Sequence, residues 1–182
     1  RRLYLSAAVL ALALVGQAMA DHDDDDRRKR YRKGERGGGH EQQKRYTPNT
    51  TQQTACGQCH FAFPAMLLPA AGWRKIMDGL NNHFGEVVEL DASEKSTISG
   101  FLLNNAADRS GHKRARKIMR GLGSTAPVRV TDVPYIKRKH QGHELPIGVF
   151  KRESVGSLAN CIACHPGAAD ADFDDDRVRI PD

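Results

Sequence analysis

The chain has 182 residues, of which 28 are Lys or Arg and 22 are Asp or Glu, and its formal net charge is +6. This length allows one compact domain or two small modules. The basic net charge alone is weak evidence for nucleic-acid binding, because acidic and basic residues are mixed along the chain. No apolar run after residue 20 is long enough to span a membrane.

Residues 1–20 have the pattern of a secretory signal peptide. Arg1 and Arg2 form a positive start, residues 3–15 are apolar, and the run Ala-Met-Ala ending at Ala20 is a cleavage site. The apolar run is shorter than the about 20 residues that a membrane span needs. We therefore expect cleavage after Ala20, export to the periplasm, and a mature protein that is not an integral membrane protein.

Residues 21–54 are dense in charge and poor in apolar side chains. Such a segment cannot bury enough apolar surface to offset the entropy of ordering it. We expect a disordered charged leader over 21–54.

The next feature is a Cys-x-x-Cys-His run that occurs twice and uses all four cysteines of the chain. Its residues are Cys56, Cys59 and His60 in the first copy, and Cys161, Cys164 and His165 in the second. This run is the attachment site of a c-type haem: two thiols form thioethers with one porphyrin, and the histidine binds its iron. The sequence therefore predicts two covalently bound haem c groups.

Three other interpretations of the four cysteines were weighed. A zinc site is disfavoured because the two pairs lie far apart in the chain, and zinc needs no histidine directly after each second cysteine. Two local disulfides would suit an exported protein but leave both histidines unexplained. A thioredoxin-like pair requires a βαβ setting that the pattern does not contain.

Residues 55–123 are expected to form the first haem c module. Apolar residues recur at helical spacing and predict a helix over about 71–82 that leads into His83: Trp73, Ile76, Met77 and Leu80. Asp91 followed by Glu94 is typical of a capping box at the start of a second helix. A strongly basic third helix is expected over about 110–122.

Residues 124–182 are expected to form the second haem c module. Prolines disfavour long helices here, with a short helical turn predicted over 135–140 and a helix over about 157–165 that carries the second motif. The expected fold class is mainly α with much irregular structure, as two small c-type haem modules packed together.

An electron-carrying haem needs a second protein ligand on each iron, either His or Met. His83 is favoured for the first iron because it continues the inward face of the predicted helix. His140 and His143 both precede the second motif and remain alternatives for the second iron. His112 lies among Lys and Arg and is expected to be solvated. The methionines are expected to pack rather than to bind iron: Met66, Met77 and Met119.

Several further motifs accompany the two haem motifs between residues 55 and 181: Pro64, Leu67, Leu68, Pro69, Trp73, Leu80, His83-Phe84-Gly85-Glu86, Asn105-Ala106-Ala107-Asp108, Pro134-Tyr135, Arg138-Lys139-His140, Asn160, Phe173 and Val178-Arg179-Ile180-Pro181. In this combination the chain resembles the DHC-type dihaem cytochrome c family, which are exported bacterial electron carriers with two bis-His haems. The resemblance implies that His83 is the distal ligand of the first haem and His140 that of the second. The spacing after His140 departs from the family pattern, so His143 stays an alternative.

The sequence therefore predicts a dihaem c-type cytochrome that passes electrons between redox partners in the periplasm and is not an enzyme. The resemblance implies other redox proteins as partners, either a monohaem c-type cytochrome or a membrane b-type cytochrome. Basic clusters over 113–120 and 137–139 suit an acidic partner or haem propionates equally. The alternative function is a haem enzyme, such as a dihaem peroxidase, or a ligand-binding sensor, both of which require one open iron site.

Overall fold

The computed structural model describes residues 46–142 and 145–182. The expected signal peptide lies outside the described residues, as do most of the expected leader and His143. Helix α1 spans Thr50–Cys56, so the last five residues of the leader predicted over 21–54 are helical. The boundary between the leader and the folded part therefore lies before residue 50 and not at 54.

Helix α1 begins earlier in the sequence than the predicted end of the leader, because its start is capped and one of its polar side chains is buried. The Asn49 side chain accepts a hydrogen bond from the Gln52 N–H at 2.8 Å. The Gln52 side chain is only 3% exposed, and its amide donates to the Phe63 carbonyl at 3.2 Å. The bond from Gln52 to Phe63 connects the helix that ends in Cys56 to the segment that follows the first motif.

Five more α-helices follow in the described part of the chain. They are α2 (Ala70–Asp78), α3 (Ala92–Asn104), α4 (Lys113–Leu122), α5 (Pro134–Lys139) and α6 (Cys161–Cys164). Short 3-10 turns lie between and after them, and no strand occurs in residues 46–142 or 145–182. The predicted fold class, mainly α with much irregular structure, is confirmed.

The helix ends show which local predictions were correct. Asp91 and Glu94 form the predicted capping box at the start of α3. Helix α2 ends at Asp78, before the predicted 82, because the Gly79 N–H bonds to the carbonyls of Lys75 and Ile76 and a 3-10 turn follows. Helix α6 is much shorter than the predicted 157–165.

The buried apolar residues form a cluster to which both halves of the chain contribute. Helix α2 packs on α3, and α4 packs on α5. The most enclosed side chains are Met66, Leu68, Ile98, Leu102, Ile118 and Val133. Gly72 of α2 lies against the second half, since a Cβ there would be 2.4 Å from the Pro127 carbonyl oxygen. The division into two modules at Gly123 stays a prediction.

Residues that follow α3 in the chain form hydrogen bonds to the start of α2 and to the segment before it. The Asp108 carboxylate accepts a hydrogen bond from the Ala70 N–H at 2.8 Å, and the Ala107 N–H donates to the Leu68 carbonyl at 2.8 Å. The carboxylate satisfies one of the unpaired donors at the start of a helix and also interacts favourably with its dipole. Within the described residues, none of the helices is long and apolar enough to cross a membrane.

Helix α4 is capped by a histidine, which makes its start sensitive to pH. The His112 Nδ1 accepts a hydrogen bond from the Arg114 N–H at 3.2 Å, so the ring must be neutral to form the cap. Burial lowers the pKa of His112 below its ordinary value of 6.5, and the charges of Arg114 and Arg116 lower this pKa further. His112 is therefore a half-buried cap rather than the solvated residue predicted.

We expect the protein to become less stable as the pH is lowered, because the His112 cap is lost on protonation. Because the folded-state pKa lies below 6.5, the cap contributes fully above pH 6.5, and its contribution is lost as the pH falls through the folded-state pKa. In His112→Asn, the side chain caps without titrating, so the variant should lose less stability than wild type between about pH 7 and 5. Thermal unfolding of the haem-loaded protein at both pH values tests this. Parallel losses in the two proteins would contradict it.

Candidate haem sites

The first motif follows directly from the end of α1. Cys56 is the last residue of the helix, and Cys59 and His60 lie in the exposed turn beyond it. Gly57 allows this turn, because a Cβ at that position would lie 2.3 Å from the Gln53 carbonyl oxygen.

The ring of His60 faces the ring of His83. Their centres are 6.1 Å apart, and the two planes make an angle of 19°. The His60 Nδ1 lies 2.7 Å from the Phe61 carbonyl oxygen, which can only accept a hydrogen bond. Nδ1 therefore carries the proton, and the lone pair of Nε2 is available to a metal.

His83 reaches this position from a tight turn and not from a helix. Its N–H donates to the Glu86 carbonyl at 2.7 Å, and the Glu86 N–H donates back at 3.2 Å. Between them, Phe84 and Gly85 have φ values of 59° and 107°. The prediction that His83 extends the face of the preceding helix is wrong, since α2 ends at Asp78.

The Phe84 backbone is strained, which indicates that the turn is held by its surroundings. A non-glycine residue in the left-handed region costs about 1–2 kcal/mol. The Phe84 ring lies 4.7 Å from the His83 ring, and the Arg129 guanidinium lies 3.8 Å from the centre of the Phe84 ring. Burial lowers the pKa of His83, and the nearby His60 and Arg129 lower it further, so its imidazole is held neutral.

The second motif brings together a second pair of histidines. His165 follows α6, and its ring centre lies 6.1 Å from that of His140, with the planes at 74°. His140 directly follows α5 as its C-cap, and its Nδ1 lies 2.8 Å from the Ile136 carbonyl oxygen. As at His60, this contact places the proton on Nδ1 and leaves the Nε2 lone pair available.

His165 also packs against a phenylalanine that has an arginine beside it. Its ring lies 5.4 Å from the Phe173 ring, and the Arg114 guanidinium lies 5.5 Å from the centre of the Phe173 ring. Burial lowers the pKa of His165, and His140 and Arg114 lower it further, which outweighs the opposite effect of Asp175 and Asp172.

The distance between the rings fits two axial ligands on one iron. Imidazole nitrogens bind metals at about 2.0 Å, so two in-line ligands hold their ring centres about 6 Å apart. Both histidine pairs have this spacing, at 6.1 Å. Each pair combines a motif histidine with one histidine from elsewhere, which is the donor set of a bis-His haem.

The cysteines are also in the state that thioether formation requires. All four are free thiols. Burial raises the pKa of Cys56 and Cys164, and it raises that of Cys161 to about 11.

Within residues 46–142 and 145–182, no three or more His, Cys, Asp or Glu side chains come together as a metal-ion site. The zinc interpretation therefore has no supporting cluster there.

The remaining candidate ligands have other positions. Met66 and Met77 are 1% and 4% exposed and belong to the apolar cluster, and half-buried Met119 packs against it. His112 caps α4. Sequence reasoning did not find Arg114 and Arg129, because each is distant in the chain from the phenylalanine that it contacts.

The chain matches known proteins over most of the described residues. A model of the dihaem cytochrome c family matches residues 52–173. A diheme cytochrome c structure from Rhodobacter sphaeroides is 38% identical, with a TM-score of 0.59, and the match covers 69% of this chain and 96% of that one. A diheme cytochrome type c from Shewanella baltica is 34% identical, with a TM-score of 0.58 and coverage of 73% and 93%. None of the curated proteins compared with the chain matches it.

The two histidine pairs should be distinguishable by spectroscopy. Nearly parallel imidazoles donate along one direction and split two iron d orbitals, whereas nearly perpendicular imidazoles leave these orbitals close in energy. We expect the oxidised, haem-loaded protein to give two low-spin EPR signals. The 19° pair should give a rhombic signal, and the 74° pair a signal with one large g value. Two identical spectra would contradict the observed ring geometry.

Proposed function

The chain belongs to the dihaem cytochrome c family and is a haem electron-transfer protein, and on that premise we propose that it holds two haem c groups with four axial histidines and carries electrons in the periplasm. The observation that carries the ligand assignment is the pair of imidazole rings at each motif, whose centres are 6.1 Å apart in both cases.

The proposed attachment uses the motif cysteines. Cys56 and Cys59 would hold the first haem, and Cys161 and Cys164 the second. When bound, each haem supplies one-electron chemistry through ferrous and ferric iron. His60 and His83 would bind the first iron, and His165 and His140 the second. His143 lies outside the described residues and stays the alternative to His140.

Filling both axial positions favours an electron carrier over an enzyme. A peroxidase or a ligand-binding sensor needs one iron position open to its substrate or ligand. Here the Nδ1–H groups of His60 and His140 donate to backbone carbonyls, which fixes the orientation of one imidazole at each site. The hydrogen bonds therefore support two closed sites.

The compartment and the partners rest on sequence features. The predicted signal peptide supports export to the periplasm. As partner we propose another redox protein with an acidic surface, either a monohaem c-type cytochrome or a membrane b-type cytochrome. The basic residues of α4 and of the cluster at 137–139 both suit such a partner, and within the latter Lys137 and Lys139 also pair with Asp132 and Asp175 at 3.0 and 3.6 Å.

The mature protein should carry two covalent haems. After acid–acetone extraction, which removes non-covalent haem, the intact mass should exceed that of the polypeptide from Asp21 by two haem masses. Replacing Cys161 and Cys164 together by Ser should lower the excess to one haem. A wild-type mass equal to that of the bare chain would overturn the proposal.

Removal of one distal histidine should open one iron. In His83→Ala and in His140→Ala, one haem should turn high-spin and bind carbon monoxide when reduced, at one equivalent per protein. His112→Asn, which keeps the α4 cap, is the matched control and should bind none.

Two outcomes of this experiment would change the assignment. If His143→Ala opens the second iron and His140→Ala does not, His143 is the ligand. Stoichiometric binding of carbon monoxide by wild-type protein would favour the haem enzyme or sensor instead.

A further inference from the structure

Both imidazoles of each histidine pair lie beside a phenylalanine, and in each pair one of these phenylalanines has an arginine over its ring. At the first pair the order is His83, Phe84 and Arg129, with ring–ring and guanidinium–ring distances of 4.7 and 3.8 Å. At the second pair it is His165, Phe173 and Arg114, with distances of 5.4 and 5.5 Å. We call these two arrangements the Arg–Phe pairs.

The two Arg–Phe pairs differ in their exposure to solvent. Phe84 is 46% exposed and Arg129 is exposed, whereas Phe173 is only 9% exposed and Arg114 is half-buried. The Arg114 guanidinium donates to the Phe173 carbonyl and, at 3.4 Å, to the Tyr135 hydroxyl. Its Nε is buried and has no hydrogen-bond partner among the described residues. Arg114 is therefore fixed beside the second pair, and its charge is incompletely solvated.

Two carboxylates that act electrostatically on His165, those of Asp172 and Asp175, have their own cationic partners. Asp172 is paired with Arg177, and Asp175 lies 3.6 Å from the Lys139 ammonium. These contacts reduce the ability of Asp172 and Asp175 to offset the charge of Arg114. These carboxylates therefore offset only part of the positive electrostatic effect of Arg114 on His165.

A fixed positive charge beside a haem favours the ferrous state, because reduction lowers the positive charge on the iron. The effect increases as the surroundings of the charge become less polar, and dissolved salt screens exposed charges more than buried ones. Each phenylalanine ring contacts both the guanidinium and the imidazole, so the charge lies within two side-chain contacts of the proposed iron ligand.

We propose that the Arg–Phe pairs set the reduction potentials of the two haems, with Arg129 raising that of the first haem and Arg114 raising that of the second. Arg114 has the larger effect and the weaker dependence on salt, since it is the more buried of the two. This inference rests on the proposed ligation by His83 and His165.

The test is a redox titration of the haem-loaded protein followed by EPR, in which the two low-spin signals report each haem separately. Arg129→Gln should lower the first potential and Arg114→Gln the second. We expect a three- to tenfold change in the ratio of reduced to oxidised iron, about 30 to 60 mV for a one-electron couple, with the larger change at Arg114. Raising the ionic strength should diminish the shift at Arg129 more than that at Arg114.

Three controls separate charge from structure. Arg116→Gln removes one charge from the exposed part of α4, where Arg116 bonds to the Gly111 carbonyl, and should shift neither potential by as much. Arg129→Lys and Arg114→Lys keep the charge and should restore most of each shift. If Arg114→Gln does not fold, Arg129→Gln still tests the idea, because its side chain is exposed.

The outcomes distinguish this inference from the proposed function. Unchanged potentials in Arg129→Gln and Arg114→Gln, with both low-spin signals retained, would overturn the inference and leave the ligation intact. A wild-type protein without two low-spin haems would overturn the ligation itself.

Discussion

The spacing of the two imidazole rings at each haem motif is the constraint on which the proposed sites depend. A pair of ring centres 6.1 Å apart recurs at both motifs, although the two pairs reach it from different local structures. His83 lies in a strained turn after a 3-10 helix, whereas His140 is the C-cap of α5. At each pair one ring is oriented by a backbone carbonyl, that of Phe61 or Ile136. Such outer contacts fix the tautomer and the ring direction of a ligand, which a flexible side chain cannot do alone.

The haem motifs lie at the edge of the apolar core, since Phe173 belongs to the buried cluster and Cys161 packs against it. The most enclosed residues, such as Leu68, Ile98 and Ile118, come from the helices and their connections. By contrast, Cys59 and His60 are exposed, and Cys161 and Cys164 are half-buried. Family membership implies two haem groups, so the motif side chains lie where a large apolar cofactor would cover them. A site at the edge of the core also keeps a cofactor close to the surface, where a redox partner approaches.

The two sites are alike in composition and differ in their surroundings. Each combines two histidines with neighbouring phenylalanines and an arginine, but Phe84 and Arg129 of the first are exposed, whereas Phe173 and Arg114 of the second are largely buried and half-buried. Solvent weakens the field of Arg129 more than that of Arg114, because water screens an exposed charge. A protein with two otherwise similar haems can in this way give them different potentials without changing the ligands.

The sequence by itself determined the haem motifs, the mainly helical fold class and the capping box at Asp91, because each depends on residues within a few positions of one another. Its family resemblance also selected His83 and His140, the two histidines that the structure brings to the motif histidines. It misplaced the end of α2, since the termination at Gly79 and the Phe84 turn depend on hydrogen bonds and packing beyond the helical repeat. Only the tertiary structure brought Arg129 to Phe84 and Arg114 to Phe173. Those contacts join residues more than 40 positions apart, and no periodicity in the chain records them.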